Sequence, residues 1–124
     1  MKFKIGNDII ETERVKNLYE KYGDKFKKRV YTNKEIEYCE SKKKQKYQHY
    51  AARFAAKEAA FKAVSGQIDD KYNVCWKDFE VTNDEQGRPS IKLVGIDEKS
   101  IENIDISISH CKKYAVANVT VLYK

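Results

Sequence analysis

Three short stretches of this 124-residue chain carry the side chains that could do chemistry. The first is Gly6-Asn7-Asp8-Ile9-Ile10-Glu11, where a carboxylate interrupts an apolar run. Burying a carboxylate costs on the order of several kcal/mol unless a cation or hydrogen-bond donors compensate. A metal ion would do that; so would an edge position, or a role for Asp8 in capping the following turn. The second runs from Arg53 through Lys57, Glu58 and Lys62 to Ala63. Arg53, Lys57 and Lys62 could hold the phosphates of a nucleotide-like ligand, and Glu58 could be a second carboxylate for a metal. The same residues also describe a solvated helix with its own Lys/Glu pairs. The third is Ser107-Ile108-Ser109-His110. Ser109 and His110 could donate to phosphate, or His110 could serve as a base; a hairpin turn that contains a histidine is the plainer account.

Other chemistries lack their signatures. There is no GxSxG elbow, no GxGxxG and no P-loop. Cys39, Cys75 and Cys111 are widely spaced, with no CxxC or Cys/His cluster, which argues against zinc.

The elements that must position these residues can be read from periodicity. Phe3 to Ile10 reads as a strand and Glu11 to Tyr22 as a helix with Val15, Leu18, Tyr19 and Tyr22 on one side, ended by Gly23. Thr32-Asn33-Lys34-Glu35 is a capping box that opens a short helix to about Ser41. The longest helix is predicted from about Gln48 to Val64, with six alanines (52, 55, 56, 59, 60 and 63) on one face, so that another backbone can approach closely. Ser65-Gly66 breaks it. Phe79–Thr82 and Ser90–Val94 read as a hairpin around the turn 83–89, and Ile104–Ser109 and Tyr114–Leu122 as a second hairpin joined by His110-Cys111-Lys112-Lys113. Helices and strands are segregated, so the fold class is α+β, a single domain over 1–124 with an antiparallel sheet packed against a long helix.

Composition bounds the partners. Hydrophobic residues make up 41% and charged residues 35%, with a net charge of +6, which favours anionic partners. There is no apolar h-region and no run of membrane-spanning length, so a soluble, cytoplasmic protein that does not bind membranes is expected. A basic nucleic-acid-binding module remains an alternative on charge alone.

Taken together, in this order and spacing, the segments resemble the holo-acyl-carrier-protein synthase family of phosphopantetheinyl transferases. Gly6 to Glu11 resembles its G-x-D-ϕ-ϕ-E (ϕ apolar), Arg53 to Lys62 its R-F-A-x-K-E-A-x-x-K, Ser107 to His110 its S-I-S-H, and Thr32 to Ile36 its T-x-x-E-ϕ. The resemblance implies the 4′-phosphopantetheinyl transferase fold and transfer of phosphopantetheine from coenzyme A to a serine of apo-acyl carrier protein, with release of adenosine 3′,5′-bisphosphate, in fatty acid biosynthesis. It implies Mg²⁺ held by Asp8 and Glu58, with Glu58 as base and Lys62 stabilising phosphoryl charge. Arg53, Lys57, Lys62, Ser109 and His110 would bind coenzyme A, and Arg14 the carrier protein. It also implies a homotrimer with sites between subunits, which the alanine face and the apolar final strand would allow, and no nucleic-acid partner. An inactive carrier-binding scaffold of the same fold is the other reading. The family's G-T-G after the long helix appears here as Ser65-Gly66.

Overall fold

A strand and the long helix approach each other closely at Gly6. The computed structural model describes residues 2–67, 74–96 and 98–124. In it β1 (Lys2–Glu11) passes beneath α4 (Lys46–Val64). A Cβ added to Gly6 would lie 1.9 Å from the Ala59 carbonyl oxygen and 2.9 Å from the Ala63 nitrogen, so no side chain fits there. The expected alanine face makes this contact possible: all seven alanines of α4 are buried, as are Ala115 and Ala117 of the sheet. Small residues on both sides let the helix backbone settle onto the strands.

The sheet has the order β1-β5-β4, where β4 is Ile101–His110 and β5 is Tyr114–Tyr123. The first strand pairs antiparallel with the last over its full length, from Lys2 opposite Tyr123 to Glu11 opposite Tyr114. The β4–β5 hairpin closes on Cys111 N–H donating to the Tyr114 carbonyl at 2.9 Å. Ala115, Ala117, Val119 and Val121 of β5 face α4, and all are fully buried.

A separate antiparallel hairpin, β2 (Phe79–Asn83) and β3 (Pro89–Leu93), forms a second sheet. Its turn needs positive φ, supplied by Gly87 at +82°. Helices α1 (Thr12–Tyr22), α2 (Asp24–Val30) and α3 (Asn33–Glu40) complete the fold. Gly23, at φ +54°, separates α1 from α2. The charged run 24–29 hides α2, whose Phe26 and Val30, one turn apart, are its buried residues.

Two features expected to serve subunit contact are consumed inside the chain. The alanine face of α4 and the apolar side of β5 pack on each other. Phe3, Ile5 and Ile9 of β1, at 56%, 68% and 64% exposure, point away from α4 and carry the exposed apolar surface instead. No helix among the described residues is long and apolar enough to cross a membrane.

Candidate active site

Asp8 lies two residues past Gly6, on the same face of β1, where α4 crosses. Lys62, three residues past Ala59, reaches it: Nζ donates to Asp8 Oδ1 at 3.2 Å and to the Asn7 carbonyl at 3.0 Å. Glu58 sits one turn before Lys62. Burial raises its carboxyl above the ordinary carboxylate range, and the negative charge of Asp8 raises it further; Lys62 and Arg14 act in the opposite sense. Asp8, Glu58, Lys62 and Arg14 therefore form one electrostatic cluster at the crossing of β1, α1 and α4.

That cluster fits a hard divalent cation. Two adjacent carboxylates repel, and a cation between them relieves the repulsion. Among the described residues no group of three or more His, Cys, Asp or Glu could hold a metal. Asp8 and Glu58 could each lend an oxygen to such an ion, with its other positions left to water or phosphate, as Mg²⁺ prefers.

Beside Glu58 opens a groove of about 250 Å³ between Lys57, Glu58 and Phe61 of α4 and Val74, Cys75, Trp76 and Phe79. Trp76 lies against Phe54, with ring centroids 4.7 Å apart.

Lys57 departs from the expectation that it binds phosphate. Its side chain is fully buried and its ammonium is committed, to Glu35 Oε1 at 2.6 Å, the Trp76 carbonyl at 3.1 Å and the Phe79 carbonyl. Three donors are thereby used, leaving none for a ligand. Burial lowers the Lys57 pKa, which Glu35 counteracts. Glu35 is equally buried and fully used: it completes the capping box through Thr32 N–H at 2.9 Å and accepts from Val81 N–H at 3.1 Å. The sequence showed Glu35 only as a capping residue. Its second role needed the fold, which brings residues 22 positions apart into contact.

Arg53 points to the other flank of α4, since five residues at about 100° each carry Glu58 roughly 140° round the axis. It is buried to 3% exposure. Its guanidinium stacks 4.1 Å over the Tyr38 ring and donates to Asn83 Oδ1 at 2.6 Å, while Nε is buried without a partner. His49, one turn earlier, lies between Tyr38 and His110, with centroids 5.7 and 4.9 Å away. His110 Nδ1 and Gln48 Oε1 are 2.9 Å apart. An amide oxygen only accepts, so Nδ1 donates in this contact. Ser109 alternates to the opposite face of β4 from His110 and does not join this group. Tyr38, His49 and Asn83 were missed in the sequence, although His49, Arg53 and Lys57 recur at intervals of four along one ridge.

These positions frame the comparison with known proteins. A model of the 4′-phosphopantetheinyl transferase superfamily matches residues 4–119. The chain belongs to that superfamily. Curated relatives place it among the holo-[acyl-carrier-protein] synthases: the protein of that name from Ruminiclostridium cellulolyticum is 44% identical, with 98% of this chain and 92% of that protein aligned. Another from Thermodesulfovibrio yellowstonii is 44% identical over 94% and 96% of the two chains. The solved structures agree. A holo-(acyl-carrier-protein) synthase from Bacillus anthracis in complex with CoA (3′,5′-ADP) superposes with a TM-score of 0.76 at 34% identity, covering 95% of this chain and 94% of that one. The Helicobacter pylori enzyme in complex with coenzyme A gives 0.81 at 30% identity, covering 95% and 99%. The chain is thus a phosphopantetheinyl transferase enzyme, with the expected α+β fold.

Proposed function

We propose that this transferase moves 4′-phosphopantetheine from coenzyme A to a serine of an apo-acyl carrier protein, in a Mg²⁺-dependent reaction that releases adenosine 3′,5′-bisphosphate. The observation that carries this is the cluster of Asp8, Glu58, Lys62 and Arg14 where β1 meets α4. Bound between Asp8 and Glu58, Mg²⁺ would supply charge neutralisation for the pyrophosphate of coenzyme A. Glu58, or a water it orients, would take the proton of the attacking serine. The serine oxygen bonds to the β-phosphorus, the bridging P–O bond breaks, and its electron pair leaves on adenosine 3′,5′-bisphosphate. Lys62 donates to the transferred phosphoryl oxygens. Arg53 and His110 hold the nucleotide phosphates. Ser109 is assigned no part, because it faces away from His110.

The carrier is proposed to dock on α1 and α2. Arg14 stands beside Glu58, and an apolar groove of Leu18, Tyr22 and Phe26 is rimmed by Lys25 and Arg29. That combination suits an acidic amphipathic helix. The Asp8–Glu58 and Arg53–His110 clusters lie on opposite flanks of α4, so one coenzyme A could engage the first on one copy and the second on the next. A homotrimer closed through the exposed side of β1 would allow this. One catalytic domain spanning 1–124, in the cytoplasm and serving fatty acid biosynthesis, completes the proposal.

Intact-mass spectrometry of an apo-acyl carrier protein incubated with the enzyme and coenzyme A tests it. The expected result is a gain of one phosphopantetheine that EDTA abolishes. Asp8→Asn and Glu58→Gln should each slow transfer by at least about 10²-fold while the far-ultraviolet circular dichroism is unchanged. Full activity in either variant would remove the metal assignment; no gain on any of several apo-carriers would remove the reaction.

A further inference from the structure

The Glu35–Lys57 pair joins three pieces of chain. Glu35 lies in the first turn of α3, Lys57 in the middle of α4, and the bonded backbone belongs to Trp76, Phe79 and Val81. Packing alone does not call for it. Apolar side chains of similar volume generally serve a core as well as a buried ion pair or better, because desolvating two charges offsets their attraction. What the pair adds is direction: one ammonium fixes two carbonyls and one carboxylate oxygen at hydrogen-bond distance, and the second carboxylate oxygen fixes Val81.

The place where it acts is specific. Lys57 precedes Glu58, and the carbonyls it grips belong to Trp76 and Phe79, two residues of the groove wall facing Glu58 and Phe61. On the reaction proposed above, the transferred phosphorus sits at Glu58 and carries the long, flexible pantetheine arm. The apolar groove that opens beside Glu58 suits that arm.

We propose that Glu35 and Lys57 are positioning residues for the transfer, setting the wall that carries Trp76 and Phe79 against α4 and so the width of the groove that receives the pantetheine arm. This rests on the phosphopantetheinyl-transfer reading. Lys57 lies in the groove lining with its three ammonium donors already spent on Glu35, Trp76 and Phe79, so both residues act through the backbone of 76–81.

Trp76 is the sole tryptophan of the chain, so its fluorescence reports on the wall directly. The test uses Lys57→Met, Glu35→Gln and the double variant. Glu35→Gln keeps one acceptor oxygen, which can serve the Thr32 cap or Val81 N–H but not both, and it serves alone if Lys57→Met does not fold. The expected outcome is a KM for coenzyme A raised about tenfold with kcat within about twofold and the KM for apo-carrier unchanged. Acrylamide should quench Trp76 more strongly in each single variant, and the double variant should be no worse than Lys57→Met, because the two residues act as one unit. Folded variants with wild-type Trp76 quenching and a wild-type KM for coenzyme A would overturn the proposal. So would a loss confined to kcat, or one that only follows the folded fraction. Absence of transfer by the wild-type enzyme would instead remove the transferase reading, while Trp76 quenching would still show whether the pair holds the wall.

Discussion

Lys57 and Lys62 stand five residues apart on one helix and meet opposite fates. Lys62 is half exposed beside Asp8, whereas Lys57 lies wholly inside against Glu35. The difference follows from what α4 packs on at each azimuth: β1 ends near Lys62, while 74–81 covers Lys57. The same reasoning singles out His49. Burial first, then the positive charges of His110, Lys42 and Arg53, push its pKa from 6.5 down to about 4. The unfolded chain takes up this proton near pH 6.5 and the folded chain only near pH 4, so between the two the unfolded state holds more protons and acid favours it. The melting temperature should therefore fall as the pH is lowered through this window. His49→Phe, which keeps a ring against Tyr38, should flatten that fall. Differential scanning fluorimetry across the window decides; identical slopes for the two proteins would place the acid sensitivity elsewhere.

At the scale of elements, the decisive contact is the crossing of α4 over β1. Glycine at position 6 lets the helix backbone in, and Asp8, next on the same face, then meets Lys62 and comes within electrostatic reach of Glu58. Structure and site thus share one cause. Gly6→Ala places a methyl group into backbone on the helix side. Overpacking of this kind costs about 1–3 kcal/mol where neighbours can move, and α4 backbone can move little, so a loss at or above the upper end is expected in urea unfolding. Because the helix must lift off β1, transfer should fall more than the folded fraction does. A Gly6→Ala variant of wild-type stability would show that the crossing is looser than described. Elsewhere the elements follow local rules: the capping box starts α3 with both of its bonds, and Gly23 ends α1.

For the whole molecule, the question is how two groups on opposite flanks of α4 would serve one coenzyme A in the proposed reaction. The Asp8–Glu58 cluster faces β1 and α1; the Arg53–His110 cluster faces Tyr38 and Asn83. Assembly through the exposed side of the β1-β5-β4 sheet, where Phe3, Ile5 and Ile9 leave apolar surface in water, would bring one flank of a copy to the other flank of the next. Light scattering after gel filtration should give three times the mass of one chain. Ile5→Lys and Ile9→Lys should reduce it to one chain and abolish transfer with Asp8 and Glu58 intact. An active monomer would show that a single chain holds the complete site.

Sequence alone determined what is local or periodic. Strand alternation, the i, i+4 alanine face, the capping box and the turn glycines are set by neighbours a few residues away, so helices α1, α3 and α4, both hairpins and the α+β class could be read directly. Asp8, Glu58 and Lys62 were singled out by the resemblance of their segments to a family motif; residue type alone fits a capped turn and a solvated helix as well. Which of the charged residues on α4 reach a ligand was decided only by tertiary packing. At one turn per 3.6 residues the helix sends Lys57 and Lys62 to different surroundings, and those surroundings come from β1, β5 and the 74–81 segment, far away in the chain. For the same reason the burial of Glu35, the turning away of Ser109 and the gathering of Tyr38, His49 and Asn83 around Arg53 had no local signal. Each depends on a partner that only the folded chain brings near.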